Sequence, residues 1–126
     1  MSEGIDARLT GVTEIALSLP EVERESYGDH FTFSVRGKKL AYFLNNHHGD
    51  GVIGVCVKAG PGENTALIAS DPIRFYMPAY IGPRGWVALR LDRGKVDWKE
   101  VAELLKTSYQ SVAPKRIAGK RLAAKR

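Results

Sequence analysis

Two short runs of this 126-residue chain put cations where they could grip phosphate. Arg36, Lys38 and Lys39 fall together in the turn Arg36-Gly-Lys-Lys39, a wing-like tip that can lie along a sugar–phosphate backbone without reading its sequence. Arg84 sits in Gly82-Pro-Arg-Gly85, where glycines let backbone N–H groups approach an anion and a guanidinium adds a charge-assisted bond. Arg90 follows on the polar side of an apolar strand. The end of the chain repeats a basic dyad every five residues: Lys115-Arg116, Lys120-Arg121 and Lys125-Arg126. On a helix that step turns about 140° and builds no face. As an unstructured tail the dyads make a nonspecific polyanion ligand. Arg36, Lys38, Lys39, Arg84, Arg90, Lys115, Arg116, Lys120 and Arg121 are therefore the candidate nucleic-acid contacts. A plainer account stands beside each: hairpin lysines keep an edge soluble, the loop glycines serve turn geometry, and tail affinity is incidental.

Other chemistries find less footing. There is no Gly-x-Ser-x-Gly elbow, no Walker loop and no Cys/His pairing with catalytic spacing, so no catalytic residue and no cofactor is expected. His47-His48 with Asp50, and Asp29-His30, are the only metal-like groupings. A metal needs ligands converging on one point, and neighbours on a strand point oppositely, so no metal site is expected either. Cys56 lies in Val52-Ile-Gly-Val-Cys-Val57 and reads as a small core hydrophobe. Alone, it can make no internal disulfide, which fits a reducing compartment.

The net charge of +5 divides unevenly. Residues 115–126 carry six cations and no acid. Residues 1–114 hold 13 Lys/Arg against 14 Asp/Glu, a charge of −1. Within that body, residues 1–27 sum to −4 and residues 28–95 to +4. The body is dipolar, with no net positive charge to drive tight binding through counterion release, so any nucleic-acid binding should be weak. No apolar run approaches the roughly 18 residues of a spanning helix, and Met-Ser-Glu-Gly-Ile-Asp lacks the features of a signal peptide. A cytoplasmic protein without membrane contact is expected, with a monomer favoured.

These residues need a scaffold, and the periodicities supply one. Leu9, Val12, Ala16 and Leu19 mark one face of a helix over Ile5–Ser18, closed by Pro20. A short strand is expected at Val22–Tyr27. Phe31, Phe33 and Val35 alternate with Thr32, Ser34 and Arg36, and Leu40–Asn45 returns from the turn. After the turn cluster 45–51, Val52–Lys58 is more continuously apolar and should be central. Glu63–Ser70 reads as a short helix, and Asp71-Pro72 as a cap opening one more helical turn through Phe75. Trp86–Leu91 is a strand with Val87, Leu89 and Leu91 on one face. Asp97 and Glu100 form a capping box, and Val96 and Val101 a staple, for a last helix ended by Pro114. The order α-β-β-β-β-α-β-α, with consecutive strands, predicts an α+β two-layer sandwich: an antiparallel sheet of about five strands with helices on one face. Residues 1–114 make one domain, and residues 115–126 a flexible basic tail.

Three blocks carry a family resemblance. They are Ser18-Leu-Pro-Glu21 with Asp29-His-Phe-Thr-Phe-Ser-Val-Arg-Gly-Lys38; Leu67-Ile-Ala-Ser-Asp-Pro72 leading into Tyr80-Ile-Gly-Pro-Arg-Gly-Trp86; and Val96-Asp-Trp-Lys-Glu-Val101 through Val112-Ala-Pro-Lys115. In this order they resemble the MmcQ/YjbR family of small bacterial proteins. The resemblance implies a compact α+β sandwich similar to the CyaY (frataxin-like) fold and the label of a double-wing DNA-binding protein. It brings no active site. The frataxin analogy raises iron at the acidic residues Asp6, Glu14, Glu21, Glu23 and Glu25, but that set is sparse and interrupted by Arg8 and Arg24. The expected function is a small non-enzymatic domain that binds DNA or other nucleic acid weakly through hairpin and tail. The alternatives are a protein-interaction module, or a small-anion or metal-binding domain at Gly82–Gly85.

Overall fold

The first helix, α1, runs Glu3–Leu17 and is followed by the strands β1 (Val22–Tyr27), β2 (His30–Val35), β3 (Lys38–Asn45) and β4 (Ile53–Lys58). Helix α2 (Glu63–Ser70), a two-residue strand β5 (Phe75–Tyr76), a 3₁₀ turn at Gly82–Arg84, strand β6 (Trp86–Arg90) and helix α3 (Trp98–Val112) follow. This computed structural model describes residues 3–28, 30–45, 51–60, 62–78 and 81–114, with side chains from residue 7 onward. Among them no helix is long and apolar enough to cross a membrane.

The six strands form one antiparallel sheet in the order β1-β2-β3-β4-β6-β5. The α+β architecture agrees with the alternation of the sequence, and β4 lies inside the sheet as its apolar run requires. The core packs Phe33, Val35, Ala41, Phe43, Val55, Val57, Val87 and Leu89 beneath Val12 and Ala16 of α1 and Val101, Leu105 and Tyr109 of α3. The opposite face is not simply wet. Leu44, Cys56, Trp86 and Ala88 are buried there in a second small cluster, flanked by Tyr42, Tyr76 and Ile81. Tyr42 and Trp86 lie 5.2 Å apart between ring centroids. Burial in this cluster pushes the Cys56 thiol far above its ordinary range.

The sheet has one strand more than the expected five, and its source is specific. Asp71 does cap a turn: its Oδ1 accepts from the Arg74 N–H at 3.3 Å, while its carbonyl accepts from the Arg74 and Phe75 N–H groups. The expected helical turn stops there. Phe75 is buried in the core and pairs with Leu89, while the Arg74 carbonyl accepts from the Arg90 N–H at 2.7 Å. Core burial and a free sheet edge outweigh one further turn of helix.

Two local devices shape the strands. At the β2–β3 tip, Arg36 and Gly37 both have positive φ, 52° and 80°, the pairing of a two-residue turn whose twist suits a hairpin. In β3 the register slips: Phe33 faces Ala41 but Ser34 faces Lys39, so Leu40 is an extra residue. On its other side β3 pairs with β4 as far as Ala41–Val57, and α3 bridges the next two backbone groups. The fully buried Ser108 hydroxyl donates to the Leu40 carbonyl at 2.6 Å and accepts from the Lys58 N–H at 3.0 Å. The start of α3 is as the sequence implies, with Asp97 accepting from the Lys99 and Glu100 N–H groups. Glu100, however, does not reach back in a capping box. It takes a two-point bond from Arg74, which also holds Asp71.

Candidate functional site

Antiparallel pairing sorts the candidate cations by the end of the sheet at which they fall. Val35 pairs with Lys38, and Lys58 pairs with Trp86, so the β2–β3 tip, the last residue of β4 and the first of β6 lie toward the same end. Arg36, Lys38, Lys39, Lys58 and Arg84 therefore gather there. The loop after β4 is tied to the 3₁₀ turn before β6, because Ala59 and Gly60 N–H both donate to the Gly85 carbonyl, at 2.8 and 2.9 Å. Helix α3 finishes at this end too. Ser108 plugs between Leu40 and Lys58, and the Tyr109 hydroxyl donates to the Pro20 carbonyl at 2.9 Å. The chain thus leaves the described residues, at Pro114, from the basic end. Lys115, Arg116, Lys120 and Arg121 follow in sequence and lie outside the described residues.

The cations at this end differ in their freedom. Lys38, Lys39 and Arg84 are exposed. Arg84 lies close enough to Tyr42 for its charge to oppose the upward push that burial gives that phenol. Arg36 is engaged by Glu21, Nε to Oε1 at 2.7 Å and Nη2 to Oε2 at 3.2 Å. That hydrogen bond holds the Glu21 carboxyl below its ordinary range. Glu23 and Glu63 are the other acids nearby, on β1 opposite Ser34 and at the start of α2.

Arg90 is not part of this group. It lies four residues along β6 from Trp86, about 13 Å away, and forks onto Asp92 with both contacts at 3.0 Å. Burial is the largest influence on the Asp92 carboxyl and raises it, yet the Arg90 bond, the Arg90 charge and backbone hydrogen bonds together outweigh it, and the net shift is downward.

The Gly82–Gly85 loop owes its glycines to packing and turning. A Cβ at Gly82 would sit 2.6 Å from Met77 Cγ, and Gly85 closes the 3₁₀ turn at φ 96°. Asn64, buried at 3% exposure, donates to the Gly82 and Trp86 carbonyls at 2.9 and 3.1 Å. A cleft of about 290 Å³ opens beside it, lined by Gly62, Asn64, Thr65, Met77, Gly82 and Pro83. Arg84 does not line this cleft, and both amide hydrogens of Asn64 are spent on the loop. The arrangement stiffens the connection rather than presenting donors to an anion.

Among the described residues no three His, Cys, Asp or Glu side chains converge as a metal site would require. His30 Nδ1 accepts from the Asn45 N–H. Asp29, His47, His48 and Asp50, and the side chain of Asp6, lie outside the described residues. Of the acidic set, Glu21 is taken by Arg36 and Glu25 accepts from the Tyr27 hydroxyl at 2.9 Å.

Two contributors, Lys58 and Ser108, are not marked by the sequence as candidates, and a third, Glu21, is raised there only within the sparse acidic set and not as a partner of Arg36. Lys58 closes an apolar strand and looks like an ordinary polar terminus. Glu21 is separated from Arg36 by fifteen residues, so no periodicity connects them. Ser108 falls three residues after Leu105 and seven after Val101, on the buried stripe of α3, and that spacing is a usable signal.

Comparison with known proteins bears on the fold and the family. A family model described as YjbR matches residues 17–111. The crystal structure of Deinococcus radiodurans protein DR2400, with the family-model domain DUF419, superposes with a TM-score of 0.69 at 21% identity. The similarity covers 86% of this chain and 80% of that one, and at this identity it speaks for the fold. No curated protein matches the chain.

Proposed function

The chain belongs to the YjbR family, and from that premise we propose that it is a non-enzymatic module binding nucleic acid weakly along the basic end of its sheet. The observation that supports this reading is the meeting of Lys38, Lys39, Lys58 and Arg84 with the end of α3, from which the basic tail departs. Exposed lysines on a hairpin and an exposed arginine on a loop suit phosphate contacts, which add affinity without sequence preference. Because the body sums to −1, the local cluster and the tail must act together, and affinity in the range of about 1–100 µM is expected near physiological salt.

The test is a titration of fluorescent duplex DNA at low and near-physiological salt against three proteins. They are the intact chain, Lys38→Glu/Lys39→Glu, and a chain with its six tail cations changed to Gln. Removing one phosphate-binding cation lowers the slope of log K against log salt by about one, so the double reversal should lower it by about two. The neutral-tail protein should bind more weakly yet retain affinity at low salt. Unchanged affinity in both variants would sink the reading. Binding that depends on the tail alone would remove the folded body from it.

A further inference from the structure

Arg36 stands at the basic end with its guanidinium already closed on a carboxylate. Both of its contacts to Glu21 run to different oxygens, the two-point geometry in which Arg grips carboxylate or phosphate. The pair is open to solvent, with side chains 57% and 49% exposed. Glu21 and Arg36 are also the two non-glycine residues of positive φ among the described residues, at 63° and 52°. Val22 pairs with Val35, so these two left-handed residues lie side by side at the ends of β1 and β2. Neither lysine side chain two or three positions beyond Arg36 has a hydrogen-bond or ion-pair partner among the described residues.

We propose that Glu21 occupies, in the free protein, the clamp with which Arg36 holds a phosphodiester, and that it thereby sets the threshold for polyanion binding. The proposal rests on the reading of the basic end given above. Carboxylate and phosphate offer a guanidinium the same two-oxygen edge. An exposed ion pair is worth little in water and opens readily, so exchange at Arg36 is accessible. A lone phosphate must displace the carboxylate unaided. A polymer already held by Lys38 and Lys39 delivers its next phosphate to Arg36 at high effective concentration. The clamp therefore favours a chain of phosphates over a single one, and Glu21 is a specificity-determining residue rather than a direct contact.

The experiment uses the same duplex with Glu21→Gln, Arg36→Gln, the double variant, and Glu23→Gln, which changes charge equally but faces Ser34. Glu21→Gln should tighten binding about five-fold and steepen the salt slope by about one, as a newly available phosphate contact would. Glu23→Gln should change affinity less than about two-fold. Arg36→Gln should weaken the Glu21→Gln background several times more than it weakens the natural chain. Glu21→Asn, whose residue type tolerates the left-handed region, should act in the same direction. Equal effects of the Glu21 and Glu23 changes would overturn the inference. So would an equal cost of Arg36→Gln in both backgrounds. If Lys38→Glu/Lys39→Glu leaves binding untouched, the reading of the basic end fails and this inference with it. If the lysines matter and the Glu21 change does not, only the clamp fails.

Discussion

Ser108 shows how a single hydroxyl can extend the hold between two strands beyond the end of their ladder. The β3–β4 ladder ends at Ala41–Val57, and beyond it Ser108 stands between the Leu40 carbonyl and the Lys58 N–H as donor and acceptor at once. Its residue is fully buried, so water cannot readily replace it. Ser108→Ala should cost about 2–4 kcal/mol, the penalty for stranding two buried backbone groups. Urea unfolding would show this as a lower midpoint with an unchanged slope. A loss below about 0.5 kcal/mol would mean that Leu40 and Lys58 re-pair directly. At this scale the sequence is only partly legible. The buried stripe of α3 is visible at Val101, Leu105 and Val112, yet a serine on it carries no signal of its role because its partners are backbone atoms 50 and 68 residues away. Residue type announces charge well and announces partners poorly, as Glu21 and Arg36 also show.

Between elements, α1 and α3 meet in a tight contact. Trp98 at the start of α3 lays its ring on Gly11, where an added Cβ would fall 2.6 Å from Cζ3. Intrinsic propensity favours Ala over Gly inside a helix by about 1 kcal/mol. Gly11→Ala should nonetheless lower stability by about 1 kcal/mol or more, because either the ring or the helix must shift. In a Trp98→Ala background the same change should stabilise, and that reversal of sign is the measurement that matters. A thermal melt showing Gly11→Ala more stable with Trp98 in place would refute the tight contact. Helices and hairpins are legible because Pro20, the 36–39 turn, Asp97 and Pro114 punctuate a clear alternation. Strand β5 is not, since two residues have no period and only the edge of β6 makes Phe75 and Tyr76 extended. The capping-box pattern holds in one half: Asp97 caps, while Glu100 is claimed by Arg74, a residue of a distant turn. The edge strand β1 also carries a guard that local patterns do not reveal. A second copy pairing there about a two-fold would set Glu23 opposite Glu25, or a glutamate opposite itself, and like charges face to face oppose such pairing.

For the whole molecule, ion pairs link turns to helices and give stability a pH dependence of definite sign. Arg74 holds the Asp71 carboxyl below its ordinary range, Arg36 does the same for Glu21, and Asp92 is lowered on balance by Arg90. A carboxyl depressed in the folded state stabilises at pH above its unfolded value. That contribution disappears as pH falls through the folded value, because the unfolded chain takes up protons first. The melting temperature should therefore be flat near neutrality and fall from about pH 4 downward. Asp71→Asn, Glu21→Gln and Asp92→Asn should each blunt the fall. A melting temperature that rose in acid would contradict the assignment. Fold class and family are readable from strand order and three sequence blocks. The gathering of cations at one end is not, because it depends on which ends of β2, β3, β4 and β6 coincide. The same order of elements bears on how the protein is made. The four strands β1 to β4 pair with their sequence neighbours and leave the ribosome first, but β4 waits for β6, and the middle of the sheet waits for α3, the last helix to emerge. At about 5–20 residues per second, Phe43, Val55 and Val57 wait several seconds for their final cover, an interval in which apolar surface that the finished protein hides is open to aggregation.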